Sequence, residues 1–225
     1  LATAHELAAH RAELPELVRR RWDASILQQG DDDDYNPKSA YLFASGELVI
    51  KEHLRLHLDP SRLAGYSEER ELLAALAHPR IVRLLDWVAM PPHELMVLRR
   101  APGATLDGSA LPRPEALCVV TQLAETLAWL HARDVLYLDV KPQNLLFDGR
   151  DVTLVDFGMA RRGRRVCSML STLEYVPPEM ARTFESTAAS DVFQLGLVTY
   201  QLLVGRHPFS QDAGVAVALA NLWDE

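Results

Sequence analysis

Asp139, Lys141 and Asn144 fall within one short stretch, Tyr137-Leu-Asp-Val-Lys-Pro-Gln-Asn144, and Asp156-Phe-Gly158 follows after a run that reads as a hairpin. Together these residues offer a carboxylate to orient a hydroxyl, an ammonium for a transferring phosphate and two oxygen ligands for magnesium. Phosphoryl transfer requires that set, because its loose transition state is stabilised mainly by positioning and charge. A lone Asp-Phe-Gly triplet carries little information. The ordered pair of stretches carries far more.

The two stretches resemble the catalytic loop and metal-binding motif of the eukaryotic-type (Hanks-type) Ser/Thr protein kinases. The family's His-Arg-Asp-x-x-x-x-Asn reads here as Tyr137-Leu138-Asp139 with Asn144 five residues on. The resemblance implies that Asp139 accepts or orients the substrate hydroxyl proton and that Lys141 contacts the transferring phosphoryl group. It implies Asn144 and Asp156 as ligands of Mg2+, with ATP as donor. The fold it implies is α+β and bilobal. A small antiparallel β lobe with one helix precedes a mainly helical large lobe that is short at its C-terminal end.

The elements that must position these residues can be read from changes of period. Residues 1–22 look helical, with Leu7, Leu14, Leu17 and Val18 in an approximate stripe that Pro15 should interrupt. Arg19 to Arg21 beside Trp22 read as a solvated helix end, with partner binding as the alternative. Strand-like pieces follow at Ile26-Leu27, Ser39 to Phe43 and Glu47 to Lys51, with Ser45-Gly46 as a hairpin turn. Leu72, Leu73 and Leu76 predict a helix over Glu68 to Ala77 that His78-Pro79 ends. Ile81 to Val88 and Glu94 to Leu98 read as two more strands.

That order matches a kinase small lobe. Lys51 in Leu48-Val49-Ile50-Lys51 resembles the family's strand lysine, which holds the nucleotide α/β-phosphates. Its expected partner is Glu69, nine residues before His78, with Glu68 and Glu71 as alternatives. Arg99-Arg100-Ala101-Pro102-Gly103 resembles the hinge, whose backbone binds adenine in the family, and Leu98 takes the gatekeeper position. The resemblance thus implies Lys51, Glu69, Leu98, Arg99, Ala101 and Leu146 as cofactor-binding positions. The division it implies is an N-terminal helical extension (1–24), a small lobe (25–98), a hinge (99–103) and a large lobe (104–225).

Residues 114–133 read as a long helix with Leu117, Val120, Leu123, Ala124, Leu127 and Leu130 inward. Beyond Asp156 lies a basic run, Arg161-Arg-Gly-Arg-Arg165, and then Ser171-Thr172-Leu-Glu-Tyr-Val-Pro-Pro-Glu179. The latter resembles the family's G-T-x-x-Y-x-A-P-E segment. Thr172 would touch Asp139 and Lys141, and threonine there implies Ser/Thr acceptors on a protein substrate. Asp191-Val-Phe-Gln-Leu-Gly196 resembles the start of the large lobe's central helix, whose aspartate ties down the catalytic-loop backbone. Gly205 to Phe209 resembles its end.

Three departures stand against this. The phosphate loop should fall near 28–38, yet the chain there has one glycine beside Asp31 to Asp34. Glycines let backbone N–H groups approach phosphates. Each aspartate about 10 Å from a phosphate charge would instead cost roughly 0.4 kcal/mol in water before screening. The run reads as a solvated turn, or as a dock for the basic Arg161–Arg165 loop or a basic substrate. Next, Tyr137-Leu138 replaces His-Arg, so a phosphate on the activation segment lacks its usual arginine. Activity is then expected not to depend on that phosphorylation, unless Arg161 to Arg165 serve phosphorylated Ser168 or Ser171. Tyr137 is expected to pack on Phe157.

Finally, the sequence stops at Glu225 soon after an apolar segment, Val215 to Trp223. The lobe is either truncated or minimal. A truncated lobe would leave Glu179 unpaired and apolar surface uncovered, for which a homodimer or another partner chain would compensate.

Composition sets the outer bounds. With 48% apolar and 24% charged residues the chain reads as soluble and globular. A net charge of −8 gives no support for nucleic-acid or anionic-membrane partners. No apolar run reaches the roughly 20 residues of a membrane span. Two cysteines are too few for a disulfide framework and point to a reducing cytoplasm. Cys118 reads as a core residue, and Cys167 lies in the basic loop, where a reactive thiol is the minor alternative. Two further readings stay open: a pseudokinase scaffold with the same fold, and a kinase acting on a small molecule.

Overall fold

The computed structural model describes residues 18–19, 21, 25–29, 41–54, 60–90, 93–106, 108, 110–167 and 173–209. The chain divides into two compact units, Leu1–Ala77 with Val82–Ala101, and His78–Ile81 with Pro102–Glu225. The Asp31–Asp34 run, most of the expected N-terminal helix, Ser168, Ser171, Thr172 and the Val215–Trp223 segment lie outside the described residues.

In the first unit the alternating apolar pieces pair into one antiparallel sheet. Its strands are β1 (Ser25–Gln29), β2 (Tyr41–Ser45), β3 (Leu48–Leu54), β4 (Leu84–Met90) and β5 (His93–Arg99), in the order β1-β2-β3-β5-β4. Gly46, at φ +48°, makes the tight turn between β2 and β3. On β5 the run Leu95, Met96, Val97 and Leu98 is buried without alternation, the pattern of a strand covered on both faces. Helix α1 (Pro60–Ala75) accompanies the sheet and buries Glu69, Leu72 and Leu73.

This helix starts eight residues before the expected Glu68. Pro60 suits a first turn, where its missing N–H has no intrahelical role. The early turns lack the leucine repeat from which the sequence reading began. The strand expected over Ile81–Val88 is displaced along the chain: Ile81 makes an isolated parallel bridge to Leu154, and β4 runs from Leu84 to Met90.

Among the described residues, the second unit is built on two helices, α2 (Arg113–His131) and α4 (Ala188–Val204), with the short α3 (Pro178–Thr183) between them in sequence. Small sheets flank them. β6 (Ala104–Thr105), β8 (Leu145–Phe147) and β9 (Val152–Leu154) form one. β7 (Val135–Leu136) pairs with β10 (Arg161–Arg162), and β11 (Arg165–Cys167) with β12 (Glu185–Thr187). Gly103, at φ +91°, lies so close to β8 that a Cβ there would sit 2.3 Å from the Phe147 carbonyl carbon and oxygen.

The buried stripe of α2 is rotated from the expected one. Ala116, Val119, Leu123, Thr126, Leu127 and Leu130 are buried, whereas Leu117 and Ala124 are exposed. Thr126 is tolerated inside because its hydroxyl donates to the Gln122 carbonyl at 2.8 Å. Cys118 is not a core residue. It is half-buried, with its sulfur against the Arg150 carbonyl and the Gln122 amide. Helix α4 opens with a capping box, in which Thr187 accepts from the Ala189 amide and Ser190 from the Thr187 amide. Gly205, at φ +78°, closes it.

Candidate active site

The second unit carries the loop from Tyr137 to Asn144. Helix α2 ends at His131, β7 follows, and the chain then passes through Leu138 in the left-handed region, φ +64°. Helix α4 sets this path. Asp191 accepts the Tyr137 amide on Oδ2 at 3.0 Å and the Leu138 amide on Oδ1 at 2.6 Å. One turn on, Gln194 accepts the Val140 amide at 3.0 Å and donates to the Leu138 carbonyl at 3.2 Å. Asp191 and Gln194 therefore satisfy four backbone groups of a buried loop that has no regular ladder of its own.

On that loop three side chains converge. Asp139 Oδ2 receives Lys141 Nζ at 2.8 Å and Asn144 Nδ2 at 2.6 Å, and Asn144 also donates to the Asp139 carbonyl at 3.0 Å. All three are buried, with Asp139 only 4% exposed. Pro142 to Asn144 form a single 3-10 turn, which brings Asn144 back over Asp139.

Asp156 follows β9. It is itself left-handed at φ +61°, and its Oδ1 accepts the Gly158 amide at 3.3 Å. Two bonds tie its neighbourhood to the loop: the Val155 amide donates to the Asn144 carbonyl, and the Tyr137 hydroxyl donates to the Val155 carbonyl. Phe157 is fully buried and meets Tyr137 edge-on, ring centroids 5.0 Å apart. Burial, followed by the charges of Asp139, Asp156 and Asp191, pushes the Tyr137 hydroxyl well above its ordinary value. It stays a hydrogen-bond donor at any ordinary pH.

In the first unit, β3 carries Lys51 and α1 carries Glu69. Lys51 Nζ donates to both carboxylate oxygens of Glu69, at 2.8 and 3.1 Å, and Glu69 is 1% exposed. Leu98 is buried on β5, Arg99 is exposed at its end, and Ala101 and Leu146 are half-buried.

Glu179 accepts a hydrogen bond from Ser190 Oγ at 2.7 Å. Three arginines of the basic run have carboxylate or carbonyl partners. Arg164 pairs with Asp134, Arg165 with Glu185, and Arg161 donates to the Gly158 and Ala160 carbonyls. Two residues that the motif reading passed over hold the site: Gln194, three positions after Asp191, and His131, whose Nε2 lies 2.7 Å from Asp191 Oδ2. Their signal was spacing, a Gln one helical turn from the motif aspartate and a His closing the periodic helix.

Among the described residues no group of three or more His, Cys, Asp or Glu could cage a metal ion. Asn144 and Asp156 are oxygen donors, and Asn144 has its nitrogen committed to Asp139. Two such ligands fit a magnesium ion, which retains water and nucleotide oxygens rather than taking an all-protein cage.

The protein kinase domain model matches residues 44–223. The chain belongs to the protein kinase domain family. Within it, the likeness is to the Hanks-type Ser/Thr kinases of bacteria. The probable serine/threonine-protein kinase PknB of Lactococcus lactis is 29% identical over 190 residues, covering 79% of this chain and 30% of that protein. PknB of Mycobacterium leprae is 32% identical over 184 residues, covering 74% and 29%. PrkC of Bacillus subtilis is 31% identical over 179 residues, covering 74% and 28%. The chain spans less than a third of the length of these relatives.

Proposed function

We propose that this chain transfers the γ-phosphoryl group of ATP, with Mg2+, to Ser/Thr hydroxyls of a protein. The observation that carries this reading is the Asp139 carboxylate, held by Lys141 and Asn144 on a loop whose backbone is clamped by Asp191 and Gln194. A carboxylate so fixed can orient a hydroxyl without reorganising when transfer occurs. Lys141, 2.8 Å from that carboxylate, is the proposed contact to the transferring phosphoryl group. Asn144 and Asp156 are the proposed ligands of Mg2+, which when bound neutralises phosphate charge.

Lys51, ordered by Glu69, is the proposed contact to the α/β-phosphates, and Leu98, Arg99, Ala101 and Leu146 the proposed surroundings of the adenine. Thr172 is proposed to contact Asp139 and Lys141. The likeness to kinases named for serine and threonine supports these acceptors. The small lobe is assigned to 25–98, the hinge to 99–103 and the large lobe to 104–225, and the division of the chain at Ala101/Pro102 supports a junction there. No helix among the described residues is long and apolar enough to cross a membrane. A cytoplasmic site of action is part of the proposal.

The single glycine among residues 28–38 favours a second reading, a scaffold that binds nucleotide weakly or not at all. Calorimetry of ATP with and without Mg2+, on the wild type, Lys51→Ala and Asp156→Ala, separates the two. The kinase reading expects magnesium-dependent binding that weakens in both variants. A folded wild type that binds no ATP would contradict the kinase reading and favour the scaffold.

A further inference from the structure

Glu69 is one of two consecutive residues of α1 that reach the sheet. The other is Arg70. Its Nη1 donates to Glu94 on β5 at 3.1 Å, and its guanidinium lies 4.3 Å from the centre of the Trp87 ring on β4. Nη2 is also 3.9 Å from Glu71, its exposed neighbour on the helix.

The register of the sheet gives this arrangement its meaning. Met96 on β5 pairs with Lys51 on one side and with Trp87 on the other. Lys51, Met96 and Trp87 thus form one cross-strand row, and directly opposed residues in an antiparallel pair point to the same face. With strands about 4.8 Å apart, the row is roughly 10 Å wide. Glu69 takes its Lys51 end and Arg70 its Trp87 end, while Met96 between them is fully buried. Glu94 lies two residues along β5 from Met96 and so shares its face.

Burial of Leu72 and Leu73 is non-directional, and a single lysine–glutamate bond fixes the rotation of the helix only loosely. A second attachment from the next residue, about 100° around the helix, removes that looseness. It is not an ordinary surface ion pair either. The Glu94 side chain is 4% exposed and that of Arg70 24%. We propose that Arg70 is a positioning residue for the Lys51–Glu69 pair, clamping α1 across the Lys51–Met96–Trp87 row so that Glu69 faces Lys51. The role in phosphate binding that this serves rests on the function proposed above; the clamp itself does not.

The sequence supplies a direct readout, because it contains only three lysines, Lys38, Lys51 and Lys141. Acetylation with acetic anhydride, followed residue by residue by mass spectrometry, reports how firmly Glu69 holds Lys51, with Lys141 as the internal reference. Arg70→Met is expected to raise Lys51 acetylation about threefold or more, the scale of losing a partly exposed cation–π contact together with its ion pair. Glu69→Gln should raise it as well. Arg70→Lys should recover less than half of the protection, since an ammonium keeps the charge but not the flat face over Trp87. If Arg70→Met does not fold, Trp87→Leu leaves every charge in place and is expected to act in the same direction.

Lys51 acetylation unchanged in these variants overturns the proposal, whatever happens to catalysis. Wild-type protein that binds no ATP would instead overturn the kinase reading while the labelling still tests the clamp. In an active enzyme, Arg70→Met should raise KM for ATP more than it lowers kcat.

Discussion

Leu138 donates its amide to Asp191 Oδ1 at 2.6 Å across 53 positions of sequence while sitting at φ +64°. A branched apolar residue in that region costs roughly 1–2 kcal/mol, so the conformation persists only because something holds it. Asp191 is that holder, and it also accepts the Tyr137 amide. Asp191→Ala removes two backbone hydrogen bonds to the carboxylate together with its contact to His131, and should cost about 3 kcal/mol of stability or more. Urea unfolding measures this, and a loss below about 1 kcal/mol would mean the loop is held by other contacts.

Gly103 tests the close approach to β8. A side chain there would meet the Phe147 backbone at 2.3 Å, and the φ of +91° disfavours any L-residue. Gly103→Ala should destabilise the protein by about 2 kcal/mol or more, read from the thermal or urea transition. Gly149 makes the control, because it has a similar φ of +95° but nothing within 4 Å of an added Cβ. Gly149→Ala should cost less than Gly103→Ala.

Alkaline pH tests Tyr175. Burial pushes its hydroxyl up to about 12, and the hydroxyl donates to Gln201 at 2.7 Å. The unfolded chain ionises near 10, so the folded value is the higher one. Stability from this group is therefore fully present below pH 10 and lost as pH rises from 10 towards 12. The two-unit difference corresponds to roughly 2–3 kcal/mol. Urea midpoints taken between pH 8 and 11 should fall more steeply in the wild type than in Tyr175→Phe. Parallel slopes would remove Tyr175 from the account.

How far sequence alone reaches depends on how local the information is. Asp139, Lys141 and Asn144 lie within six residues, and a single 3-10 turn brings them together. Their convergence was legible because little folding separates them. The hairpin leading to Asp156 was legible for the same reason. The start of α1 was not, since its early turns carry no apolar repeat and Pro60 reads equally well as a breaker. The face of α2 was misplaced because Leu117, expected inward, is exposed, while Thr126, which was not part of the expected stripe, is buried. Hydrophobicity alone does not reveal that Thr126 returns its hydroxyl to Gln122. Arg70 was invisible because its meaning arises only from the register of three strands.

The central claim is that Asp139 serves phosphoryl transfer to a hydroxyl. Its direct test is transfer of labelled γ-phosphate from ATP with Mg2+ to Ser/Thr-containing protein acceptors, comparing the wild type with Asp139→Asn. Asparagine preserves size, so the fold should survive while the rate falls about 10²- to 10⁴-fold, the usual contribution of a positioned acid–base group. The label should appear on serine or threonine. Equal rates for Asp139→Asn and the wild type would contradict the account.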